Sequence, residues 1–325
     1  AKNIDPNKKP ILAKDIKANG AMTALLKDAF MPNLVQTLNK TPTLIHGGPF
    51  ANIAHGCNSY VATKMGLDLA DIVVTEAGFG ADLGAEKFID IKCRQTGISP
   101  DLVVIVATIR ALKYHGGVKK DNLDKEDVTA LNKGFENLKR HIDNCHKNFG
   151  LNVLVGINRF QSDTENEIKI VQDQVKSLGF DAILCEHWEK GADGAKDLAL
   201  AALDWLKKPS NFKFLYKNEQ SLISKIETIA KNIYHADQVV FEDDALTQIN
   251  ELELKYSSLP VCIAKTPYSF SSDPELKGAV SNHKLNIREL RLVRGAGFIV
   301  AICGSLMTLP GLPKKPASEI IGVNS

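Results

Sequence analysis

The sequence predicts an α/β protein built on a parallel, doubly wound sheet, followed by a smaller α+β region. Three observations predict this. Short, near-continuous apolar runs recur through the first two-thirds of the 325 residues, as in strands covered on both faces. Longer amphipathic stretches separate them, and strand, helix, strand in repetition gives parallel pairing with helical crossovers. After Pro209 the spacing changes and turn residues become denser.

The predicted strands of the first part are Thr43–His46, Asp71–Thr75, Leu102–Thr108, Asn152–Asn158 and Asp181–Glu186. The predicted helices are Met22–Leu38, His55–Leu69, Ala85–Cys93, Lys125–Asn148, Thr164–Leu178 and Asp193–Leu206. Beyond Pro209 the pattern predicts a helix over Glu219–Tyr234, a strand over Gln238–Phe241, a helix over Asp244–Tyr256 and a strand over Val261–Lys265. A Ser/Pro/Asp-rich loop, Thr266–Pro274, follows, and Leu285–Cys303 reads as two strands around Gly295 and Gly297. A domain boundary near residue 208 divides the chain into 1–208 and 209–325, with the Pro/Lys-rich tail Pro310–Pro316 on the surface.

Composition narrows the function classes. Hydrophobic residues make up 44% and charged residues 24%, ordinary for a soluble globular protein. A net charge of +2 supplies no field for nucleic acid or a membrane surface. The six cysteines, at 57, 93, 145, 185, 262 and 303, form no C-x-x-C pair and several sit in apolar runs; free buried thiols in a reducing cytoplasm are expected. His141, Cys145 and His146 come nearest to a metal-ligand cluster, but lie in a charged helical stretch and are expected to face solvent. There is no signal peptide and no apolar run of membrane-spanning length. Ala1 in place of Met fits a processed terminus, a cropped chain or a missing upstream segment.

Ligands of such sheets bind beyond the carboxyl ends of the strands. The first strand runs into His46-Gly47-Gly48-Pro49-Phe50-Ala51-Asn52-Ile53-Ala54-His55-Gly56. Two glycines let the backbone approach a ligand, and the following helix offers free N–H groups to an anion. His46 and His55 either assist proton movement or are satisfied by neighbours in a tight turn. The second strand ends in Glu76-Ala77-Gly78-Phe79-Gly80-Ala81-Asp82-Leu83-Gly84. Its third glycine is one position late for a dinucleotide fingerprint. A phosphate-facing loop remains open, with Glu76 and Asp82 as acceptors or water-mediated partners of magnesium, and Phe79 either against a base or packed under the loop. After the third strand, Arg110 and Lys113 suit a phosphate or carboxylate, or a plain surface role. Phe160 and Trp188 close the fourth and fifth strands; two aromatics at neighbouring strand ends can clamp a flat heterocycle. The chain has no Gly-Lys dipeptide, so it cannot form a G-x-x-x-x-G-K-[ST] phosphate cradle, and no nucleophile elbow is present.

These stretches resemble formate–tetrahydrofolate ligase. The likeness is carried by His46 to Gly56, by Thr75 to Phe88, by Arg288-Glu289-Leu290-Arg291 with Gly295-Ala296-Gly297-Phe298-Ile299-Val300, and by Met307-Thr308-Leu309-Pro310-Gly311-Leu312-Pro313-Lys314. It runs from about Asn19 to about Lys315. The resemblance implies a fold related to P-loop NTPases with smaller domains attached. It also implies ATP-dependent joining of formate to tetrahydrofolate, with magnesium and a monovalent cation. Formate attacks the γ-phosphate, and the folate N10 amine then takes the formyl group from formyl phosphate. By the same resemblance Phe160, Leu184 and Trp188 match pteridine-binding positions. The loop with Phe79 and Gly80 and the stretch with Tyr268 look like parts of the nucleotide site, though Pro267 stands where a polar residue is common. His46, Gly47, Gly48, Asn52 and His55 look like floor and catalytic residues near the phosphates.

Members of that family are longer, with extra residues before the position of Ala1 that carry the phosphate-binding lysine and an arginine near formyl phosphate. The expectation is therefore a cytoplasmic ligase fragment, a homo-oligomer in the full-length protein, that binds folate without making formyl phosphate. The alternative is a folate-binding module without ligase activity. A dehydrogenase built on the loop 78–84 is disfavoured by the displaced glycine.

Overall fold

The computed structural model describes residues 12–304. The signature Met307–Lys314 and the tail Pro310–Pro316 lie outside the described residues. The chain forms two compact units: one from residues up to Gly48 together with Asn58–Thr75, the other from Pro49–Cys57 together with Glu76 onward.

In the smaller unit, β1 (Asn33–Gln36) and β2 (Pro42–Ile45) make an antiparallel hairpin, with Leu34 opposite Leu44. The helix Tyr60–Leu69 follows, its N-terminus capped by the Ser59 hydroxyl, which accepts from the Ala62 N–H. Two expectations are corrected here. The helix expected over Met22–Leu38 is a short helix, Asn19–Leu26, then a 3₁₀ turn, Asp28–Phe30, then β1. Pro32 explains the break: it lacks an N–H and forces Met31 out of helical geometry, and Met31 is extended at φ −89°, ψ 125°. The strand expected over Asp71–Thr75 has no ladder partner among the described residues. Its alternation survives, with Val73 against Gly66 and Val74 exposed, but side-chain alternation does not itself supply a partner strand.

The larger unit contains the parallel sheet: β3 (Leu102–Ala107), β4 (Asn152–Asn158) and β5 (Asp181–Cys185), in that order. Leu102 lies opposite Asn152, and Ile157 opposite Leu184. The fold is thus α/β with a parallel sheet, of three strands among the described residues where the sequence predicts five. The helix Val128–Asp143 precedes β4 and the helix Glu165–Ser177 precedes β5. Thr164 and Glu167 cap the latter reciprocally, the pairing that satisfies two orphan donors at once. The core under this sheet gathers Val153, Val155 and Ile157 against Leu131, Phe135, Ile168 and Val171. The helix Ile109–His115 is not foreseen by the sequence reading; Thr108 caps it by accepting from the Ala111 N–H.

A second, mixed sheet has the order β6 (Ala236–Phe241), β8 (His283–Val293), β9 (Phe298–Cys303), β7 (Val261–Ala264). Here β8 and β9 form the hairpin expected around Gly295 and Gly297, and the flanking pairs are parallel. The helix Leu222–Asn232 falls within its predicted stretch, and Asp243–Tyr256 begins one residue before its own. The core of this sheet takes Phe88, Ile89 and Phe149 together with Ile226, Ile229, Tyr234 and Ile299.

All six cysteines are buried and unpaired, as the sequence predicts. The expectation that His141, Cys145 and His146 face solvent holds for His146, which is exposed, and is corrected for the other two: Cys145 is 1% exposed in the core. His141 lies against the Phe270 ring at 4.7 Å. Charge on one face of this helix hid the apolar stripe of Leu138, Ile142 and Cys145. No described helix is long and apolar enough to cross a membrane.

Lys113 supplies a test of how this unit is held. Its ammonium is 3.0 Å from Glu167, both side chains wholly buried, and donates to the Lys125 carbonyl at 2.7 Å. The pair ties the helix Ile109–His115 to the helix Glu165–Ser177. Lys113→Met should therefore cost about 3–5 kcal/mol in urea unfolding, because Glu167 is left buried without its partner. A loss under about 1 kcal/mol, the size of an exposed pair, would contradict this.

Candidate functional site

Three strand ends meet at the carboxyl edge of the parallel sheet. β3 leads into Thr108 and Arg110, β4 into Arg159 and Phe160, and β5 into Glu186 and Trp188. The ladder continues one step past the strands, since the Arg159 N–H donates to the Cys185 carbonyl at 3.0 Å. Arg159 then bridges the loops, 3.0 Å from Glu186 and 2.6 Å from Glu165. The Phe160 N–H donates to the Asp163 carboxylate at 2.8 Å, and the Asp163 N–H returns to the Phe160 carbonyl at 3.0 Å. That closed turn holds the ring outward: Phe160 is 43% exposed and Trp188 77%. Leu184 is half-buried beside them on β5. Both rings thus stand open on loops joined by the Arg159–Glu186 pair.

A second cluster joins three loops. The glycine-rich segment 76–84 packs on the segment 51–57 with no room for side chains. The Gly78 N–H donates to the Gly56 carbonyl at 2.8 Å. A Cβ on Gly84 would stand 2.2 Å from the Gly78 carbonyl oxygen, and Gly56, at φ 60°, needs the left-handed region. Phe79 also sits in that region, at φ 64°, and is 50% exposed. A bulky non-glycine residue held there stores strain. Asp82 is buried and pairs with Lys265, just past β7, at 2.7 Å. Lys265 also donates to the Thr266 and Ser269 carbonyls, so all three ammonium protons are used. Burial alone would raise the Asp82 carboxyl; Lys265 first, and His141 after it, outweigh burial and hold it below its ordinary value. Tyr268, on the loop Lys265 organises, is 62% exposed. One ion pair thereby fixes the two loops that present Phe79 and Tyr268.

The remaining predicted residues have defined surroundings. His46, Gly47 and Gly48 belong to the smaller unit. The His46 ring is 2.7 Å from the Ser59 hydroxyl and 2.9 Å from the Ala29 carbonyl. The carbonyl requires a proton on Nε2, leaving Nδ1 to accept from Ser59. In the larger unit, His55 is half-buried edge-on to Phe298 at 6.3 Å; burial, then Lys92, lower its pKa and keep it neutral. The Asn52 side-chain oxygen is buried with no partner, an acceptor left for a ligand or water. Asp82 is committed to Lys265 and so is not a free magnesium acceptor, and Lys113 is a structural cation. Within the same buried layer, burial and then Asp90 push Glu86 well above its ordinary value; neither of its oxygens has a partner. Lys265 was missed by sequence reasoning as an organising residue, since nothing in Ala264-Lys265-Thr266 marks a buried cation.

The chain matches the formate–tetrahydrofolate ligase family over residues 2–325. It belongs to that family. Formate–tetrahydrofolate ligases of Pelagibacter ubique and Sinorhizobium fredii are each 57% identical to it over 320 residues, 98% of this chain and 57% of theirs. The enzyme of Sinorhizobium medicae is 58% identical over 317 residues, 97% of this chain and 56% of its own length. The chain thus spans somewhat more than half the length of these family members.

The histidines near the second cluster set a pH response. Burial, then His141, lower the His115 pKa to about 4, while an unfolded histidine titrates near 6.5. Between these values the unfolded chain holds the extra proton, so His115 makes stability fall as pH falls. Glu86 and Asp90, raised by burial, act in the opposite sense. His115→Asn should therefore lose less stability than the unaltered chain between pH 7 and 5, by up to about 2 kcal/mol. Equal losses in denaturant titrations at the two pH values would reject this.

Proposed function

We propose that the chain carries the folate-binding part of an ATP-dependent ligase that joins formate to tetrahydrofolate. The observation that carries this reading is the aromatic pair Phe160 and Trp188, exposed at adjoining strand ends and braced by Arg159. Phe160 and Trp188 stack on the pteridine, with Leu184 on its edge. Phe79 and Tyr268 take the adenine end of ATP. His46, Gly47, Gly48, Asn52 and His55 serve the phosphates: the glycines by close backbone approach, Asn52 by its unpartnered oxygen. His55 is neutral and suited to accept a proton, and His46 holds its helix cap in place. The overall fold is related to P-loop NTPases; a division near residue 208 is supported by the change of sheet between Cys185 and Ala236.

The reaction follows the family chemistry. A formate oxygen attacks the γ-phosphorus, the bond to the β-phosphate oxygen breaks, and formyl phosphate and ADP result. The N10 amine attacks the formyl carbon, phosphate leaves, and the amine gives up its proton. Formyl phosphate hydrolyses in water, so a closed site is needed. Magnesium, with a monovalent cation, belongs to this chemistry, but no three His, Cys, Asp or Glu side chains converge to hold a metal among the described residues. These residues do not fit a resident metal, and magnesium would arrive on the nucleotide. The sequence has no Gly-Lys dipeptide, so these residues form no G-x-x-x-x-G-K-[ST] phosphate loop. The same absence supports the second reading, a folate-binding module without ligase activity. A reducing cytoplasm suits the six free thiols. Exposed Val104 and Val106 on the edge strand β3 suit a homo-oligomer.

Two measurements test the proposal. Trp188→Ala should weaken tetrahydrofolate binding by roughly 1–3 kcal/mol, the range for loss of one stacked ring; unchanged affinity in a folded variant would reject the stacking role. The chain supplied with ATP, formate and tetrahydrofolate should bind folate yet form no 10-formyltetrahydrofolate. Robust turnover would show that the phosphates need nothing further.

A further inference from the structure

We propose that Glu86, Asp90 and Tyr234 enclose an internal site for ordered water, and that this water joins two buried ion pairs into one network. The site belongs to the layer beneath the glycine-rich segment and is independent of the folate reading.

Asp82, Glu86 and Asp90 follow one another at four-residue steps and so share a helical face. That face runs from the turn before the helix Gly84–Lys87 into the turn Phe88–Cys93, where the helix widens to π spacing. Such widened turns recur at functional sites. All three carboxyl groups are buried, and Glu86 and Asp90 wholly so.

The two outer groups have cations. Asp82 pairs with Lys265 at 2.7 Å. Asp90 pairs with Arg94 at 2.6 Å, and the same oxygen, Oδ1, accepts from the Leu215 N–H at 3.1 Å. Arg94 also donates to the Asn218 side chain and the Tyr216 carbonyl, and Lys265 gives its other protons to two carbonyls. The middle group differs. Among the described residues neither oxygen of Glu86 has a donor, and Oδ2 of Asp90 has none either. The wholly buried Tyr234 hydroxyl is likewise without a partner. The Tyr216 hydroxyl accepts from the Val261 N–H at 3.2 Å and keeps its own proton to give. These groups lie in one another's field: burial, then Glu86 and Asp82, raise the Tyr234 hydroxyl, and burial, then Asp90 and Glu86, raise that of Tyr216. The Lys265 ammonium, 4.8 Å from the Tyr234 ring, borders the same place.

The chemistry selects the occupant. Buried oxygens without donors are costly, and in native proteins water satisfies those that the chain does not. A metal cation is the other candidate for a group of oxygens. Here three carboxyl groups already face three cations: Lys265, Arg94 and Lys87, which is buried beside Glu86 and donates to the Ala51 carbonyl. The layer is balanced in charge and short of donors, which a neutral molecule with two protons corrects and a cation does not. Two oxygens of Glu86, one of Asp90 and one of Tyr234 are unpartnered. At about three hydrogen bonds per water, they call for roughly one or two molecules. The resulting chain of bonds runs from the Lys265–Asp82 pair, which holds the glycine-rich segment, to the Arg94–Asp90 pair, which holds the stretch 215–218.

Two measurements test the site. In a high-resolution crystal structure of the unaltered chain, ordered water should lie within about 2.5–3.2 Å of a Glu86 carboxyl oxygen and of the Tyr234 hydroxyl. In solution, oxygen-17 relaxation dispersion counts waters held for longer than the protein tumbles. That count should fall by roughly one or two in Glu86→Met. Tyr234→Phe removes a single hydroxyl with little change of shape, so it serves if Glu86→Met does not fold, and its count should fall as well. An empty site in the crystal would overturn the proposal. So would a metal ion there, matched by a gain in stability on adding sodium or potassium. An unchanged water count in the folded variants would overturn it equally.

Discussion

The buried ion pair between Lys265 and Asp82 is the constraint on which the larger unit's loop architecture depends. A lone ammonium in that position would cost several kcal/mol in desolvation. Its three protons instead meet one carboxylate and two carbonyls, and this full set of partners makes the burial tolerable. The carboxylate comes from the glycine-rich segment and the carbonyls from the loop after β7. Neither loop can move without breaking a bond to a charged group. The strain at Phe79 persists because this pairing, and the packing of Gly56, Gly78 and Gly84, leave the segment no alternative path.

The strand-end cluster is built by a different means. Its aromatics are held by half-exposed charges and by turns: Arg159 between Glu165 and Glu186, and Asp163 closing on Phe160. Exposed pairs contribute little stability each, so this cluster is positioned by backbone ladder and turn geometry more than by electrostatics. The deeper cluster, with Glu86 raised and His55, His115 and His141 lowered by burial, is electrostatically tight.

Much of this could be read from residue order, and the failures have physical causes. The three parallel strands were readable because each is a compact apolar run, and Phe160 and Trp188 because aromatics after such runs have no core to enter. Pro32 was present to be read as a helix stop, yet the apolar spacing of Met22–Leu38 outweighed it. Asp71–Thr75 has the alternation of a strand, but pairing is decided by a neighbour that alternation does not specify. Arg110 was left between ligand and surface roles because its sequence does not reveal the Phe160 ring below it. Lys265 was unreadable: a buried lysine is recognised by the carboxylate that meets it, here 183 residues away in the chain.

The most direct measurement is hydrogen exchange of the Asp82→Asn variant, followed by mass spectrometry. If the pair holds the two loops as one, exchange should accelerate in 76–84 and in 265–271 together, while β3, β4 and β5 keep their protection. Protection unchanged in both loops, or lost in only one of them, would contradict the account.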